Sequence, residues 1–388
     1  MIHFKTASTF VLLLLTSSCL GQVCVSRLPE LPRPISNNAV TSVTNPDGST
    51  SLYSFMGIDG TTFRDITPAS YRLDMSVGEW VQIADAPRLN NRARVGANAI
   101  SVAGQVYLFG GYTASRTNEV TDDRLFRYNP ATDDYTELAT MPVGVDDTVS
   151  AVYGDRYIYL MSGWHGPDRD NVLDVQIYDT QNDSWVAATA MPGPHVGLFG
   201  HSGTIVGDKI VVFDGVETSN GFRISDEMYV GQIDPEGTGD ITNIAWELTT
   251  PHPGSPTYRA AVSQGALFDG DSRMLLVGGT DNPYNYNGVG YNGRLAHPLD
   301  QVMTYDTLTG EWESLELFGD PLPTMDHRGL VQVADGWATI GGMTASGVQT
   351  SEVVHYQLQC VPEPAGIFLM MFGLFWMLSV RKSGKSEA

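Results

Sequence analysis

A motif of glycine, tyrosine and a second aromatic residue recurs along most of this chain. In each copy a β-rich segment runs into a glycine pair or a variant of one. The turns are Met56-Gly57-Ile58-Asp59-Gly60, Gly110-Gly111, Ser162-Gly163, Asp214-Gly215, Gly278-Gly279 and Gly341-Gly342. Their spacing of roughly fifty to sixty-five residues predicts an array of similar structural units.

The residues around each turn predict β-structure. Short apolar runs such as QVYLFGG, RYIYLMSG, KIVVFDG and RMLLVGG end in glycine, as expected of a strand buried on both faces that ends in a turn. A tyrosine follows five of the turns, at Tyr71, Tyr128, Tyr178, Tyr305 and Tyr356. A later aromatic position holds Trp80, Tyr135, Trp185, Trp246 and Trp312. We expect the later aromatic residue to pack between neighbouring units.

The segments RYNPATDDYTELATMP and IYDTQNDSWVAATAMP resemble the Kelch repeat, in which each unit is a four-stranded antiparallel blade of a β-propeller. The resemblance covers nearly the whole chain between its two ends. It implies an all-β, six-bladed Kelch-type β-propeller over residues 22–360, with a generic β-sandwich as the alternative. The fourth unit fits least well, because Tyr229 and Ile233-Asp234 compete for its tyrosine position.

The sixth unit lacks its last strand. Residues 23–32, VCVSRLPELP, match that strand, with Leu28, Leu31 and Pro32 placed as Leu138, Met141 and Pro142 are in the second unit. We therefore predict that the N-terminal strand pairs with the last blade and closes the ring. Closure removes exposed sheet edges that favour aggregation.

The chain has three cysteines, Cys19, Cys24 and Cys360. Mapped onto an intact repeat, Cys24 and Cys360 flank the same hairpin turn, within reach of a disulfide if the register is right. Two free thiols are the alternative. A bridge would close nearly the whole chain and constrain the unfolded state.

The N-terminus has the features of a signal peptide over residues 1–21. Lys5 precedes the apolar run from Phe10 to Leu15, and small residues around Cys19 suit cleavage before Gln22. A bacterial lipoprotein signal at Cys19 is the alternative. We expect the mature chain to be exported across the inner membrane.

The C-terminal segment 361–388 closely resembles the PEP-CTERM sorting signal. Pro362, Glu363 and Pro364 precede an apolar run at about 365–380, which would form a transmembrane helix, and a basic tail that starts at Arg381. The resemblance implies a Gram-negative bacterium, processing by an exosortase-type enzyme, and transient anchoring in the membrane before release to the cell surface or extracellular matrix. An ordinary C-terminal anchor is the alternative.

Composition limits the ligands. A formal net charge of −22 disfavours nucleic acid, whose binding needs a basic face. The segment DGDSR at 269–273 begins like a calcium loop but lacks the later glycine and glutamate. We find no zinc spacing, phosphate loop or nucleotide fingerprint, and predict neither a metal nor a cofactor.

In Kelch propellers, the loops before the first strands and those between the second and third strands share one face of the ring. That arrangement implies ligand contacts from Arg94, Arg259, Arg328, Trp164 and His165 at the channel mouth. Converging arginines can hold a carboxylate or sulfate by bidentate hydrogen bonds. Bonding between neighbouring blades is the structural alternative for such arginines.

The longest insertion, residues 280–300, carries Tyr284, Tyr286 and Tyr291 among asparagine and glycine. These tyrosines can stack on sugar rings while the amides meet hydroxyl groups, although such a segment can also be a plain surface loop. Together with the arginines they suggest an acidic glycan site.

Two classes of function fit the sequence. The favoured one is a binding or structural protein that recognises polysaccharide or a protein partner. The other is a carbohydrate enzyme, since six-bladed Kelch propellers include bacterial sialic acid mutarotases. For acid–base catalysis, Asp147 with His201 or His327 are the candidates. Galactose oxidase, a Kelch enzyme with copper, does not fit the six units or the cysteines. Fold alone does not decide between the classes.

Overall fold

The structure, a computed structural model, describes residues 22–358 apart from 116–118, 167–169, 194–196 and 219–220. The predicted signal peptide, Cys360, the Pro362-Glu363-Pro364 motif, Arg381 and the predicted transmembrane helix lie outside the described residues. Cys24 is disulfide-bonded. Its pairing with Cys360 stays a prediction.

The described residues form strands and one short 3-10 helix, Phe63–Asp65. In the N-terminal half the strands are β1 (Gln22–Leu28), β2 (Ala39–Thr44), β3 (Thr50–Ile58), β4 (Ile66–Asp74), β5 (Glu79–Ile83), β6 (Val95–Val102), β7 (Gln105–Ala114), β8 (Glu119–Thr121), β9 (Leu125–Asn129), β10 (Asp134–Glu137), β11 (Val149–Tyr153), β12 (Tyr157–His165), β13 (Asp170–Asp179) and β14 (Ser184–Ala187). In the C-terminal half they are β15 (Ser202–Val206), β16 (Lys209–Phe213), β17 (Val216–Glu217), β18 (Arg223–Ile224), β19 (Met228–Ile233), β20 (Ile244–Thr249), β21 (Ala261–Val262), β22 (Arg273–Val277), β23 (Val302–Asp306), β24 (Glu311–Ser314), β25 (Glu316–Gly319), β26 (Val331–Val333), β27 (Gly336–Ile340) and β28 (Val353–Gln357).

These strands build six consecutive blades within the described part of the chain. Blades one to five are β2-β3-β4-β5, β6-β7-β9-β10, β11-β12-β13-β14, β15-β16-β19-β20 and β21-β22-β23-β24. Two small additions lie beside them: β8 pairs with β7, and β17 and β18 form a separate hairpin. The predicted all-β six-bladed propeller is confirmed.

The N-terminal strand closes the ring, as the sequence predicts. β1 lies antiparallel to β28 in the sixth blade, with Val25 opposite Tyr356. The sequence did not reveal that β25 adds a fifth, outer strand parallel to β1. The last blade is therefore shielded on its outer edge by a segment that follows the fifth blade.

Tyrosine and the later aromatic residue face each other across the outer two strands. Ring centroids lie 4.9–5.0 Å apart in the pairs Tyr128–Tyr135, Tyr178–Trp185 and Tyr305–Trp312. The indole N–H also bonds to the preceding unit: Trp185 Nε1 donates to the Ala139 carbonyl at 2.8 Å, and Trp80 Nε1 to the Pro29 carbonyl at 2.7 Å. The later aromatic residue thus links adjacent blades.

Two blades depart from the expected pairing. Trp80 lies opposite Leu73 rather than Tyr71. In the fourth blade Trp246 lies opposite Gly231, so neither residue that competed for the tyrosine position occupies it. A Cβ at Gly231 would come within 2.8 Å of the Trp246 ring. Glycine is therefore required where the indole approaches the neighbouring strand this closely.

The apolar core is divided among the interfaces between neighbouring blades. Leu275 of the fifth blade and Trp337 of the sixth belong to one buried cluster, and Leu52 of the first blade and Val353 of the sixth to another. Burying each such side chain contributes about 1.5–3 kcal/mol. Stacking of blades therefore stabilises the ring.

No helix among the described residues is long and apolar enough to cross a membrane.

Candidate functional site

A ring of left-handed residues surrounds the channel mouth. Gly96 lies at the start of β6, and Asp147, Gly200 and Arg259 precede the first strands of the next three blades; their φ angles are 69°, 49°, 58° and 53°. Three of them donate a backbone hydrogen bond to the carbonyl of the preceding one: Asp147 N–H to Gly96, Gly200 N–H to Asp147, and Arg259 N–H to Gly200, at 2.8–3.1 Å. The Gly96 N–H donates instead to the Asn37 Oδ1 side-chain oxygen at 2.6 Å. Such backbone is strained for Asp147 and Arg259, and strain of this kind clusters at functional sites.

Arg259 lies at the centre of a buried ion network. One terminal nitrogen is 2.6 Å from Asp147 Oδ2, and the other is 2.9 Å from Asp326 Oδ1. The second nitrogen also donates to the Asn285 carbonyl at 2.6 Å. The side chain is 2 % exposed, and its guanidinium carbon lies 5.1 Å from the centre of the Tyr284 ring.

Arg328 completes the network. It lies 2.7 Å from Asp147 Oδ1 and donates to Asn37 Oδ1 at 2.7 Å. Burial raises the pKa of Asp147, but the positive charges of Arg259 and Arg328 outweigh it and hold that pKa below the usual range. Two arginines and two aspartates thus neutralise each other, and these arginines bond blades together rather than reaching into solvent.

Asp146 behaves in the opposite way to its neighbour. It is buried, and burial together with the charge of Asp147 raises its pKa well above the usual range. Its Oδ2 accepts a hydrogen bond from the Thr121 hydroxyl at 2.7 Å. Adjacent carboxyl groups with divergent pKa values are the arrangement that enzymes use for acid–base chemistry.

Above the ion network lies a cavity of about 150 Å³, which we call the aromatic pocket. Its walls include Trp164, Phe199, Phe222, Tyr291 and Tyr112, and its polar lining Asp146, Asp147, Glu119, Asn285 and Arg259. Phe222 and Tyr291 stack at 3.9 Å with an interplanar angle of 11°. Apolar walls with a few placed polar groups are typical of small-molecule sites.

The two candidate histidines line a second, smaller cavity of about 50 Å³, and Asp147, the carboxylate predicted with them, lines that cavity as well. Burial lowers the pKa of both His201 and His327 to about 4. His201 Nε2 bonds to the Met161 carbonyl at 2.8 Å, and His327 Nε2 lies 2.9 Å from the Thr324 hydroxyl. Both are therefore neutral at neutral pH, and they line a different cavity from Asp146.

Gln264 also lines this cavity. Its amide nitrogen donates to the carbonyls of Val40 at 3.3 Å and Ala99 at 3.0 Å, and its oxygen accepts from the Thr41 hydroxyl at 3.1 Å. A fifth-blade side chain thus spans to the first and second blades. At that level one amide group connects three blades by hydrogen bonds.

The structure brings only some of the predicted contact residues together: Arg259 and Arg328 share one ion network, whereas the others lie apart from it. Arg94 does not join the other two arginines: it is fully buried, 2.7 Å from Asp122, and donates to the Gly110 carbonyl at 2.8 Å. Trp164 reaches the aromatic pocket. His165 Nδ1 lies 2.6 Å from the Gly144 carbonyl and does not line that pocket.

The three tyrosines of the insertion take three different environments. Tyr284 is fully buried and packs edge-on against Tyr258 at 5.3 Å. Tyr286 is half-buried against a small apolar cluster that includes Tyr112. Tyr291 is 42 % exposed and lines the aromatic pocket. Tyr291 is therefore the one of the three with a ring available to a ligand in that pocket.

Sequence reasoning missed Asp146, Asp326 and Asn37. The sequence does contain an indication of the first two, because each is the neighbour of a candidate residue: Asp146 precedes Asp147, and Asp326 precedes His327. Asn37 has no such signal, because its role depends on the closure that brings the first and sixth blades together. Among the described residues no cluster of three or more acidic, histidine or cysteine side chains could hold a metal ion.

A model of the KLHDC2/KLHL20/DRC7 Kelch-repeats domain matches residues 17–215, half of the chain. The chain belongs to the Kelch-repeat family. This agrees with the blade topology and with the resemblance carried by the repeat itself.

This Kelch propeller is also similar to curated proteins along nearly its full length. It is 22% identical to the N-acetylneuraminate epimerase of Salmonella enteritidis PT4, over 92% of this chain and 97% of that protein. It is 23% identical to the N-acetylneuraminate epimerase of Yersinia pestis (strain Pestoides F), over 89% and 92%. Its fold matches the solved "Structure of YjhT" with a TM-score of 0.65 at 19% identity, over 87% of this chain and 98% of that one.

Proposed function

We propose that this protein is an exported Kelch propeller that binds carbohydrate in the aromatic pocket. The observation that carries the proposal is the composition of that pocket, in which the Phe222–Tyr291 stack and Trp164 face buried Asp146 and exposed Glu119. Aromatic faces pack on the apolar face of a sugar ring, and carboxyl groups bond its hydroxyls. The protein's destination is the cell surface or an exopolysaccharide matrix, reached through the N-terminal signal and processing of the C-terminal segment by an exosortase-type enzyme.

The charge of the pocket favours a neutral sugar. Arg259 lines it, but both of its terminal nitrogens are held by Asp147 and Asp326. Glu119 adds a further carboxylate at the edge, where it accepts a hydrogen bond from Asn285 at 2.8 Å. A sugar carboxylate at this position would meet repulsion without a free guanidinium to offset it.

Isothermal titration with a panel of neutral and acidic monosaccharides and short oligosaccharides tests the proposal. Tyr291→Ala and Trp164→Ala should each weaken binding at least tenfold. Phe318→Ala is the matched control, because Phe318 is 45 % exposed on β25 of the sixth blade. Unchanged affinity in both pocket variants, or binding restricted to acidic sugars, would contradict the proposal.

A second candidate is catalysis of sugar epimerisation or mutarotation in the same pocket. It is favoured by the divergent pKa values of Asp146 and Asp147 and by the relatives named N-acetylneuraminate epimerase. In mutarotation, protonated Asp146 would give its proton to the ring oxygen while Glu119 accepts the proton of the anomeric hydroxyl. The bond from the anomeric carbon to the ring oxygen breaks, and reclosure on the other face returns both protons.

Exchange NMR separates the two candidates. The protein should speed exchange between the anomers of a bound sugar, and Asp146→Asn should abolish that acceleration while sugar binding persists. N-acetylneuraminate belongs in the panel beside neutral sugars. If the wild-type protein binds the sugar but does not accelerate exchange between its anomers, the carbohydrate-binding proposal stands and the catalytic one is wrong.

A further inference from the structure

A second cavity lies on the same face of the ring, between the first and second blades. It encloses about 460 Å³, and its lining includes Arg64, Arg88 and Arg92 with Phe63 and Ala114. Its volume falls within the range of about 300–1,000 Å³ typical of ligand sites. We call it the arginine cavity.

The arginines of this cavity differ from those of the channel in having no counter-ion. Among the residues that the structure describes, none of the three guanidinium groups makes an ion pair or a side-chain hydrogen bond. All three side chains are exposed. Three free positive charges around one cavity are notable on a chain with 44 acidic and 22 basic residues.

Short, well-defined turns hold the three arginines in place. Arg64 lies in the 3-10 helix, which Thr62 and Asp65 cap reciprocally. Arg88 and Arg92 flank a tight turn in which Leu89 and Arg92 exchange two backbone hydrogen bonds of 2.9 Å. Asn90 and Asn91 take φ of 50° and 63°, as a type I′ turn requires. Positioning by rigid backbone reduces the entropy lost on binding.

The arginine cavity and the aromatic pocket lie along one strand, β7. Tyr112 of β7 lines the aromatic pocket, and Ala114, two residues further on, lines the arginine cavity. Two residues along a strand span roughly 7 Å. A ligand of several linked units is therefore long enough to reach from one cavity to the other.

We propose that Arg64, Arg88 and Arg92 form a subsite for the carboxylate or sulfate groups of an acidic polysaccharide. Guanidinium groups bind both anions through paired N–H donors. The anion site stands on its own geometry, whereas the choice of a polysaccharide rests on the proposed function. This subsite would hold an acidic unit of the polymer while a neutral unit fills the aromatic pocket.

Titration with defined oligomers tests the subsite. The probes are a tetramer of galacturonic acid for carboxylate, a heparin-derived tetrasaccharide for sulfate, maltotetraose as a neutral sugar, and an oligomer of glutamate as an acidic peptide. The Arg64→Gln, Arg88→Gln, Arg92→Gln triple variant should bind the acidic oligosaccharides at least tenfold more weakly and lose most of the salt dependence of binding.

The matched control is the Arg156→Gln, Lys209→Gln, Arg273→Gln triple variant. It removes the same formal charge where the second strands of three blades begin: Arg156 directly precedes β12, and Lys209 and Arg273 are the first residues of β16 and β22. These positions are at the opposite end of those strands from the loops that carry the cavities. Equal loss in both triple variants would show a general charge effect and overturn the subsite.

The outcomes also separate the two proposals. Wild-type affinity of the arginine variant for acidic oligosaccharides overturns the subsite even if Tyr291→Ala shows that the aromatic pocket binds sugar. Arginine-dependent binding of acidic oligosaccharides without any contribution from Tyr291 keeps the anion site and counts against the proposed sugar pocket. Tighter binding of the glutamate oligomer than of either acidic oligosaccharide would contradict a polysaccharide as the ligand and would indicate that the arginine cavity binds an acidic segment of a protein partner.

Discussion

Arg259 and Asp147 are 112 residues apart in the chain, yet a guanidinium nitrogen of one lies 2.6 Å from a carboxylate oxygen of the other. Both residues have left-handed backbone, and both are buried. The pair joins the third and fifth blades across the channel mouth. Through this contact the charges of Arg259 and Asp147 compensate each other where both residues line the aromatic pocket.

Breaking this pair should be strongly destabilising. Arg259→Met leaves Asp147 and Asp326 buried with less compensation, and we expect a loss of about 3–5 kcal/mol in the free energy of unfolding. Arg156→Met is the control, because it breaks the more exposed pair with Asp179 and should lose about 1 kcal/mol or less. Urea unfolding measures both values. Similar losses of unfolding free energy in the two variants would show that burial of the ion network does not increase its contribution to stability.

Acid should destabilise the fold through the channel histidines. The folded-state pKa of His201 and of His327 is about 4, against 6.5 for the unfolded chain, so the unfolded state binds more protons between those values. Stability is then full above about pH 6.5 and falls as the pH drops toward 4, by ~3 kcal/mol for each histidine. Asp146, whose pKa is raised, contributes a slope of opposite sign.

The corresponding variants isolate the histidine contribution. His201→Gln should show a smaller loss of unfolding free energy between pH 7 and pH 4.5 than the wild type does. His297→Gln, at an exposed position, should keep the wild-type pH dependence. An unchanged slope in His201→Gln would mean that His201 is not held neutral in the folded state.

The closing strand should contribute to stability as an ordinary blade strand does. Val25 is 5 % exposed and packs between the fifth and sixth blades, so Val25→Ala should lower the free energy of unfolding by about 1–2 kcal/mol. Val81→Ala on β5 is the matched control, at 42 % exposure, with an expected change within about 0.5 kcal/mol. Thermal or urea unfolding checks both, and equal effects would argue against packing of β1 in the core.

The predicted bridge between Cys24 and Cys360 has a chemical test. Cys24 is disulfide-bonded, and removal of the signal peptide would leave Cys360 as its partner in the mature chain. Secreted protein should show no reactive thiol without reductant and two after reduction in denaturant. Reduction should lower stability by several kcal/mol in the chain-entropy model, which gives about 4.7 kcal/mol for a 100-residue loop. Two reactive thiols in native, unreduced protein would exclude the bridge.

The repeat made much of the fold predictable. Because glycine turns and paired aromatic residues are local features of each blade, Tyr128–Tyr135 and Tyr178–Trp185 could be recognised one unit at a time. The missing strand of the sixth unit could be found by the same pattern. The outer strand β25 escaped, because its parallel pairing with β1 depends on how the fifth and sixth blades meet.

The candidate site was less predictable. From the sequence, the three arginines near the first strands could not be told apart. In the structure Arg94 pairs with Asp122 inside one blade. Arg259 and Arg328 instead share Asp147 at the channel mouth. Likewise Tyr284, Tyr286 and Tyr291 lie in one loop but differ in burial. Partner choice and burial depend on residues supplied by other blades, which a repeat pattern does not encode.

The sequence by itself determined the period, the blade and the closure of the ring, because backbone conformation and aromatic pairing act within one unit or between adjacent strands. Only the tertiary structure decided which charges are free. The channel arginines are neutralised by aspartates from distant blades, while Arg64, Arg88 and Arg92 remain without counter-ions among the described residues. The physical reason is that electrostatic compensation depends on distance in space and on burial, and both are set when the blades come together around the channel.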